Sequence, residues 1–280
     1  MMKIDAHVHT PFCPHGSRDR LSRYAERGIQ LGFEELTFTE HAPLPETFSD
    51  PVPNKDSALP ADQVEAYIKA VQEVKKEYSG EIKINLGFEV DYIEGFEKET
   101  AAFLNQYGSI IDDSILSVHF LLAGNAFHCL DFSPEGFKNL CLAAGSISAA
   151  HSLYYRTVGK SITADLGDFK PKRIGHITLV HKFQSLFPVP SAEKDLNDLD
   201  RLLDLVKEKG YELDYNTAGL RKEYCKTPYP YREAAELALK KKIPLVYGSD
   251  AHASADLGAD YHNYVSLISG SPQMPESKEK

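Results

Sequence analysis

Histidines and acidic residues recur together along this chain in short motifs whose spacing is typical of metal ligands. His7 and His9 follow an apolar run, and residues two apart point to the same side of a strand. The later segments FTEH and YGSDAH each place a histidine beside or near a carboxylate. Imidazole and carboxylate ligands without cysteine favour zinc, iron or manganese over metals that prefer thiolates.

The elements that would position these residues alternate between β-rich runs and helical segments. Seven apolar runs predict strands at 3–8, 35–39, 82–90, 114–120, 173–180, 211–215 and 243–247. Helical patterns lie between them at 21–31, 64–75 with Asp62 as N-cap, 95–107, 134–166, 192–209 and 231–242. This alternation predicts a parallel α/β sheet, either a barrel or a doubly wound sheet. No linker divides the chain, so we expect one domain over 1–270 and a polar, frayed tail over 271–280.

The metal-ligand candidates fall at or near the ends of the predicted strands, which meet on one face of a parallel barrel. They are His7, His9, His15, His41, Glu89, His119, His176, Asp250 and His252. A tetrahedral zinc takes four ligands, so this set is too large for one ion and predicts two or three ions that share a carboxylate. Clustered divalent ions are typical of enzymes that act on phosphate esters.

Composition excludes several other classes of protein. The formal charge of −10 argues against non-specific binding to nucleic acid or to anionic membranes. No apolar run approaches the ~20 residues of a membrane span, and the first residues do not resemble a secretory signal. The four cysteines are scattered, so we expect reduced thiols and a cytoplasmic location.

Six motifs, taken in order, resemble those of the polymerase and histidinol phosphatase (PHP) superfamily: DAHVHTPFCPHG, FTEHAPLP, GFEVDY, SVHFL, RIGHITLVHKF and YGSDAH. Their particular forms resemble the histidinol-phosphatase branch. The resemblance implies a distorted (βα)7 barrel with a trinuclear site at the carboxyl ends of the strands. By motif position, the three ions would take His7, His9, Glu89 and Asp250; Glu89, His119 and His176; and His15, His41 and His252. Thr178 stands where many members of the superfamily have an aspartate, which leaves the general acid unassigned.

The activity that this resemblance implies is metal-dependent hydrolysis of L-histidinol phosphate to L-histidinol and phosphate, a step of histidine biosynthesis. A metal-bridging hydroxide would attack phosphorus, and Asp250, His252 or a metal-bound water would protonate the leaving group. Arg221 follows the sixth strand and is expected to bind the phosphoryl group with Arg156, since arginine suits phosphate geometry. Asp91 or Glu40 would face the substrate amine. The partner is therefore a small phosphate ester, with no nucleic acid or membrane partner, while the metal's identity and the oligomeric state stay open.

Three other functions remain open from the sequence. The first is a PHP phosphoesterase that acts on nucleotides or nucleic-acid ends, which the negative charge disfavours. The second is an amidohydrolase barrel, which also begins with HxH but leaves His15 and His41 unexplained. The third is a non-catalytic metal-binding domain. The remaining histidines (His128, His151, His181 and His262) are expected to be structural or at the surface, and the cysteines, Cys13 included, are expected to be bystanders rather than ligands. The proline-rich segment 43–60 cannot be helical.

Overall fold

The computed structural model describes residues 2–270 and contains a seven-stranded parallel sheet. Its strands are β1 (Ile4–Val8), β2 (Glu35–His41), β3 (Lys83–Asp91), β4 (Ile115–Ser117), β7 (Arg173–Ile174), β8 (Glu212–Asn216) and β9 (Leu245–Gly248), hydrogen-bonded in that order. Two further strands, β5 (Phe120–Ala123) and β6 (Ala126–Cys129), form a separate antiparallel hairpin. The predicted parallel α/β sheet is confirmed.

The sheet nearly closes on itself, because the segment after β9 returns to β1. The amide of Asp250 donates to the carbonyl of His7 at 2.8 Å, and the amide of His9 donates to the carbonyl of Ala251 at 2.9 Å. These bonds bring the first and last strands of the sheet together. The arrangement is the expected distorted barrel of seven strands rather than a doubly wound open sheet.

Helices alternate with the strands and pack against the barrel. They are α1 (Leu21–Gln30), α2 (Val64–Glu77), α3 (Glu97–Tyr107), α4 (Pro134–Ala144), α5 (Ile147–Thr163), α6 (Ala192–Glu208), α7 (Ala218–Arg221), α8 (Arg232–Lys240) and α9 (Tyr261–Ile268). The single helix predicted over 134–166 is wrong: Gly145 adopts φ 96° and ends α4, and the side chain of Ser146 caps α5. Asp62 lies within a short 3-10 turn and does not cap α2.

Two predicted strands are shorter in the structure than the apolar runs that indicated them. Only Ile115–Ser117 of the run 114–120 joins the sheet, since the chain then turns into the β5–β6 hairpin. Only Arg173–Ile174 of the run 173–180 is strand, because His176 adopts φ 23° and a 3-10 turn follows at Leu179–His181. Helices α7 and α9 were not predicted. The barrel is thus most irregular where it carries site residues.

The core fills the barrel and the layer between sheet and helices with large apolar side chains, such as Leu36, Phe38 and Phe88, which are fully buried. The proline-rich segment contains no helix or strand, as expected, and Phe48 packs it against Ile93 and Phe120. No helix within residues 2–270 is long and apolar enough to cross a membrane. The predicted frayed tail, 271–280, lies outside the described residues, and the assignment of 1–270 to one domain stays a prediction.

Gly87, in the middle of β3, offers a test of the closely packed barrel. A Cβ built there lies 1.9 Å from the carbonyl oxygen of Asp113, so an alanine would force the backbone apart. We expect Gly87→Ala to lower the free energy of unfolding by about 1–3 kcal/mol or more, the range typical of overpacking. Gly80→Ala is the matched control, because a Cβ at Gly80 meets nothing within 4 Å. Equal urea midpoints for the two variants would contradict this packing.

Candidate metal centre

Eight of the nine predicted metal ligands meet at the carboxyl ends of the strands, on one face of the barrel. The ninth, His15, lies in the loop that follows β1. His7 and His9 come from the end of β1, and His41 and Glu89 from the ends of β2 and β3. The remaining four follow β4, β7 and β9: His119, His176, Asp250 and His252.

Three of the histidines are held in place by carboxylates that sequence reasoning did not assign to this role. Nδ1 of His7 donates to Asp214 at 2.8 Å, and Nδ1 of His119 donates to Asp91 at 2.8 Å. Nδ1 of His9 lies 3.4 Å from Glu40. A carboxylate at Nδ1 fixes the ring and leaves Nε2 free as a ligand, the usual arrangement around a protein-bound metal.

The free ring nitrogens converge on Glu89, which is almost fully buried. Its carboxylate lies 3.4 Å from Nε2 of both His7 and His9. It also contacts Nδ1 of His41 at 3.2 Å, Nε2 of His176 at 2.8 Å and Nε2 of His119 at 3.7 Å. A carboxylate among five imidazoles has the position expected of a ligand shared between ions.

Several of these ligand atoms are buried without a hydrogen bond. Within residues 2–270, Nε2 of His7, Nε2 of His9, Nδ1 of His41 and Oδ1 of Asp250 have no hydrogen-bond partner. A buried polar atom left unpaired is costly, so each such atom needs an explanation. Inward-facing imidazole and carboxylate atoms fit a divalent cation, because it would satisfy all of them at once. The residues present therefore fit a metal site.

The charges of the cluster also fit a metal site. Burial alone would lower the pKa of His7, but the carboxylates of Asp214 and Glu89 outweigh burial and raise it to about 10. Burial and the neighbouring charge of His9 lower the pKa of His41 to about 3. The protein without a cation thus balances buried carboxylates with protons on some of the imidazoles. Metal ions would displace those protons, since an imidazole binds metal in its neutral form.

Two of the candidate ligands adopt a backbone conformation that is unfavourable for side chains with a Cβ. His176 has φ 23° and Asp250 has φ 53°. Strain of this kind costs on the order of 1–3 kcal/mol per residue and clusters at functional sites. Here it turns both side chains into the barrel mouth directly after β7 and β9.

The position of His15 differs from that of the other eight candidates. Its ring is half-exposed and lies 3.6 Å from Asp56, and it belongs to none of the compact ligand groups found within residues 2–270. The thiol of Cys13 instead lies with His9, His41 and His252, one donor atom from each being within 4.8 Å of the others. The sequence had treated Cys13 as a bystander.

A cavity of about 580 Å³ opens over the cluster, a size typical of small-molecule sites. Arg221 lines it, as expected, and donates to the carbonyl of Ser249 at 2.7 Å. Lys182 also lines it and pairs with Asp131 at 2.8 Å, a cation that sequence reasoning missed. Arg156 is exposed on α5 and is not among the lining residues, so its predicted role in phosphate binding has no geometric support.

Burial and charge explain the state of the Lys182–Asp131 pair. Burial alone would lower the pKa of Lys182, but the carboxylate of Asp131 outweighs it and raises that pKa. The ammonium therefore stays charged beside the metal ligands. In the sequence, Lys182 is the lysine of the motif LVHKF, and it directly follows the 3-10 turn after β7.

The two acids expected to face a substrate amine both contact histidines of the cluster, and of the two only Asp91 also lines the cavity. Glu40 is fully buried and accepts hydrogen bonds from the amide and the hydroxyl of Thr10 at 3.0 and 2.5 Å. Asp91 accepts from the ring and the backbone amide of His119. Both act as supports for histidines. Asn216 was also missed, and it donates to Asp214 at 3.2 Å and to Asp250 at 3.1 Å.

A nearly closed parallel barrel with buried imidazoles and carboxylates at the carboxyl ends of its strands defines a metal-binding α/β barrel. The PHP domain family model matches residues 5–218, and the chain belongs to that family. The family expected from the sequence motifs is thereby confirmed.

Three known proteins are similar to this chain over nearly its full length. The histidinol-phosphatase of Bacillus subtilis (strain 168) is 51% identical over 265 residues, which cover 95% of this chain and 99% of that protein. A solved structure from Listeria monocytogenes, named as a histidinol phosphatase, superposes with a TM-score of 0.89 at 40% identity and covers 94% of this chain and 100% of that one.

The third similar protein is histidinol phosphate phosphatase from Lactococcus lactis, which was solved with zinc, L-histidinol and phosphate. It superposes with a TM-score of 0.73 at 18% identity and covers 96% of this chain and 93% of that one. At this identity the likeness supports the fold alone.

Chelation should destabilise the protein, because it would leave the buried carboxylates and imidazoles around Glu89 without a divalent counter-charge. An ion present at 100 times its Kd adds about 2.7 kcal/mol to the free energy of unfolding. For a chain of this size we therefore expect chelation to lower the Tm by about 5–10 °C. Differential scanning calorimetry with and without chelator measures the shift, and added zinc or manganese should reverse it. An unchanged Tm, with metal loss verified by elemental analysis, would contradict a metal centre here.

Proposed function

We propose that this protein is a metal-dependent phosphomonoesterase that converts L-histidinol phosphate and water to L-histidinol and phosphate. The observation that carries the proposal is the convergence of carboxylate-held imidazoles on Glu89, at the floor of a cavity lined by Arg221 and Lys182. Anion-binding cations above a divalent-metal cluster suit a phosphate ester. The similarity to the Bacillus subtilis enzyme supports histidinol phosphate as the substrate.

The proposed cofactor is a set of two or three divalent ions, for which the imidazole and carboxylate ligands suit zinc, iron or manganese. Bound divalent cations supply Lewis acidity toward phosphoryl oxygens and lower the pKa of water. The proposed ligands are the nine residues named from the sequence: His7, His9, His15, His41, Glu89, His119, His176, Asp250 and His252. For each of them except His15, proximity to the Glu89 cluster supports the assignment.

Arg221 is proposed to bind the phosphoryl group. Its guanidinium is oriented by the carbonyl of Ser249 and lies 3.5 Å from Asp260, so it is held at the cavity wall while part of it stays accessible. Arginine presents several N–H donors in a fixed plane, which suits phosphate oxygens. Lys182 adds a second positive charge at the same cavity.

Asp250 and His252, the two candidates for proton transfer to the leaving group, are both proposed here as metal ligands, so we assign the proton to neither side chain. Asp250 accepts a hydrogen bond from Asn216 and faces His9 at 3.3 Å, so both of its oxygens are directed into the cluster. His252 is more exposed, and its Nδ1 contacts the carbonyl of Asp250 at 3.1 Å, which leaves Nε2 for the cavity. For the substrate amine we propose Asp256, a half-buried carboxylate of the cavity wall.

A direct test of the reaction is phosphate release by zinc- or manganese-loaded protein. We expect release from L-histidinol phosphate with a kcat/KM at least about 100-fold above that for nucleoside 5′-monophosphates, because the relative that is 51% identical is a histidinol-phosphatase. Chelated protein is the control. Release from nucleotides or oligonucleotide ends, but not from histidinol phosphate, would instead favour the nucleic-acid branch of the family.

The two arginines proposed from the sequence can be separated by one pair of variants. Arg221→Met removes a charged donor at the cavity, which is worth about 1.5–3 kcal/mol, so we expect kcat/KM to fall about 10- to 150-fold. Arg156→Met should stay within about twofold, because Arg156 is exposed away from the cavity. Steady-state kinetics and melting curves of both variants provide the comparison. A large loss in Arg156→Met alone would reverse the assignment.

A further inference from the structure

A second concave site, of about 810 Å³, lies along the outer face of α1, and we call it the α1 groove. A volume of this order is typical of small-molecule sites. The groove shares no lining residue with the cavity over the metal centre. Four of the nine arginines of the chain line it, although the formal charge of the protein is −10. They are Arg18, Arg20, Arg23 and Arg27.

The helical period of α1 places these arginines side by side. Arg20, Arg23 and Arg27 are three and four residues apart, so they lie on one face of the helix, while the opposite face is buried. At 1.5 Å per residue, they span about 10 Å along the axis. Arg18 lines the groove from the preceding loop and donates to the carbonyl of Pro11 at 3.3 Å. The groove thus presents a row of guanidinium groups rather than a single charge.

Ion pairs do not compensate this row. Elsewhere in the chain, Arg173, Arg221 and Arg232 each pair with a carboxylate. Within residues 2–270, none of the four groove arginines lies within 4.0 Å of a carboxylate oxygen. Three of the four are exposed and one is half-buried, so their N–H donors are accessible to a ligand.

The two acidic residues of the α1 groove are bound by other donors. Asp19 accepts from the amide and the hydroxyl of Ser254, at 3.0 and 2.7 Å. Glu26 accepts from the hydroxyl of Tyr78 at 3.2 Å. Four guanidinium groups against two engaged carboxylates leave the groove with a net positive charge.

The amino end of α1 adds to this positive potential. Arg20 and Ser22 lie at that end, and both line the groove. No side chain caps the helix, and its first turn contains no acidic residue. Amides at the start of a helix carry partial positive charge and attract anions.

The groove also borders the wall of the cavity. Ser254 and Ala255 line the groove, and they belong to the 3-10 turn Ser254–Asp256. The last residue of that turn, Asp256, lines the cavity. A ligand in the groove would therefore contact the turn that forms part of the cavity wall.

We propose that the α1 groove binds a small molecule that carries two or more linked phosphate groups. Arginine presents paired N–H donors that match phosphate oxygens. A single monovalent anion reaches only part of a row about 10 Å long, whereas linked phosphates contact several guanidinium groups at once. The concave shape and the acidic remainder of the surface disfavour a nucleic-acid chain. The inference does not depend on the phosphatase reaction, because no groove residue belongs to the metal centre.

Fluorescence anisotropy of a polyanionic dye tests the proposal on the whole metal-loaded chain. Pyrene tetrasulfonate offers sulfonate oxygens to arginine, as a phosphate does, without stripping metal ions. We expect the dye to bind at a single site, and inorganic triphosphate, added as its magnesium complex, to displace it. The affinity should fall as salt is raised, because exposed charges are screened.

Two double variants of equal charge separate the groove from the rest of the surface. Arg20→Gln with Arg23→Gln removes two groove cations, and we expect the Kd for the dye and for triphosphate to rise at least about 10-fold. Arg156→Gln with Arg201→Gln removes two exposed arginines outside the groove and should change either Kd by less than about twofold. Arg27→Gln is a second groove variant, for use if the melting curve of the first pair shows misfolding.

The outcomes that would overturn the proposal are distinct from those that test the phosphatase. The proposal is wrong if the dye does not bind, if triphosphate does not displace it, or if the two double variants weaken binding equally. Displacement by a polyglutamate peptide but not by triphosphate would instead indicate an acidic protein partner. Loss of binding in Arg221→Met alone would place the anion in the cavity. Hydrolysis of histidinol phosphate enters none of these measurements, so a wrong substrate would leave the result unchanged.

Discussion

The electrostatic balance around Glu89 is the constraint on which the rest of this structure depends. Glu89 shares its neighbouring imidazoles with Asp250, Asp214 and Asp91. Buried carboxylates of this kind need compensating positive charge, because removing charges from water costs several kcal/mol per ion. The barrel supplies imidazoles from almost every strand end to meet that need. Protonated imidazoles packed this closely repel one another, so protons alone compensate the carboxylates poorly. A divalent cation resolves the conflict, since it attracts the carboxylates and takes up the lone pairs of neutral rings.

Closure of the barrel is what brings this set together. The ligands are spread from His7 to His252, and only the pairing of β1 with the segment after β9 places the two ends of the set side by side. The same closure explains why Asp250 tolerates φ 53°. Its amide is bonded to the carbonyl of His7, and its carboxylate accepts from Asn216, so the surroundings fix a conformation that the residue alone would avoid.

The sequence indicated candidate ligands, but it did not reveal the carboxylates that hold their rings. Long strands with clear apolar patterns, such as β2 and β3, end near their predicted residues and place His41 and Glu89 at the site. The short strands β4 and β7 were overestimated, because an apolar run does not reveal where a chain leaves a sheet for a hairpin or a 3-10 turn. Asp214 could not be recognised as the support of His7, since the two are 207 residues apart and only the register of the closed barrel joins them.

A second buried cluster demonstrates why residue type alone does not define a metal site. His151, His181 and Asp195 lie between α5, α6 and the 3-10 turn after β7, and their donor atoms are as close together as those around Glu89. The geometry of their contacts, however, is that of hydrogen bonds. Nδ1 of His151 lies 2.7 Å from one oxygen of Asp195, and Nε2 of His181 lies 3.0 Å from the other.

The Asp195 carboxylate thus hydrogen-bonds to both imidazoles. The hydroxyl of Tyr155 lies 3.2 Å from both Asp195 and His181. These donor atoms are already satisfied, whereas those of His7 and His9 are 3.4 Å from Glu89 and unpaired within residues 2–270. Ligands at about 2.1 Å from a tetrahedral ion lie about 3.4 Å from one another. The 3.4 Å spacing of His7 and His9 from Glu89 matches a shared cation, whereas the 2.7 and 3.0 Å spacing around Asp195 matches hydrogen bonds. The Asp195 cluster instead ties two helices to the turn that carries Lys182, and so supports the cavity wall from behind.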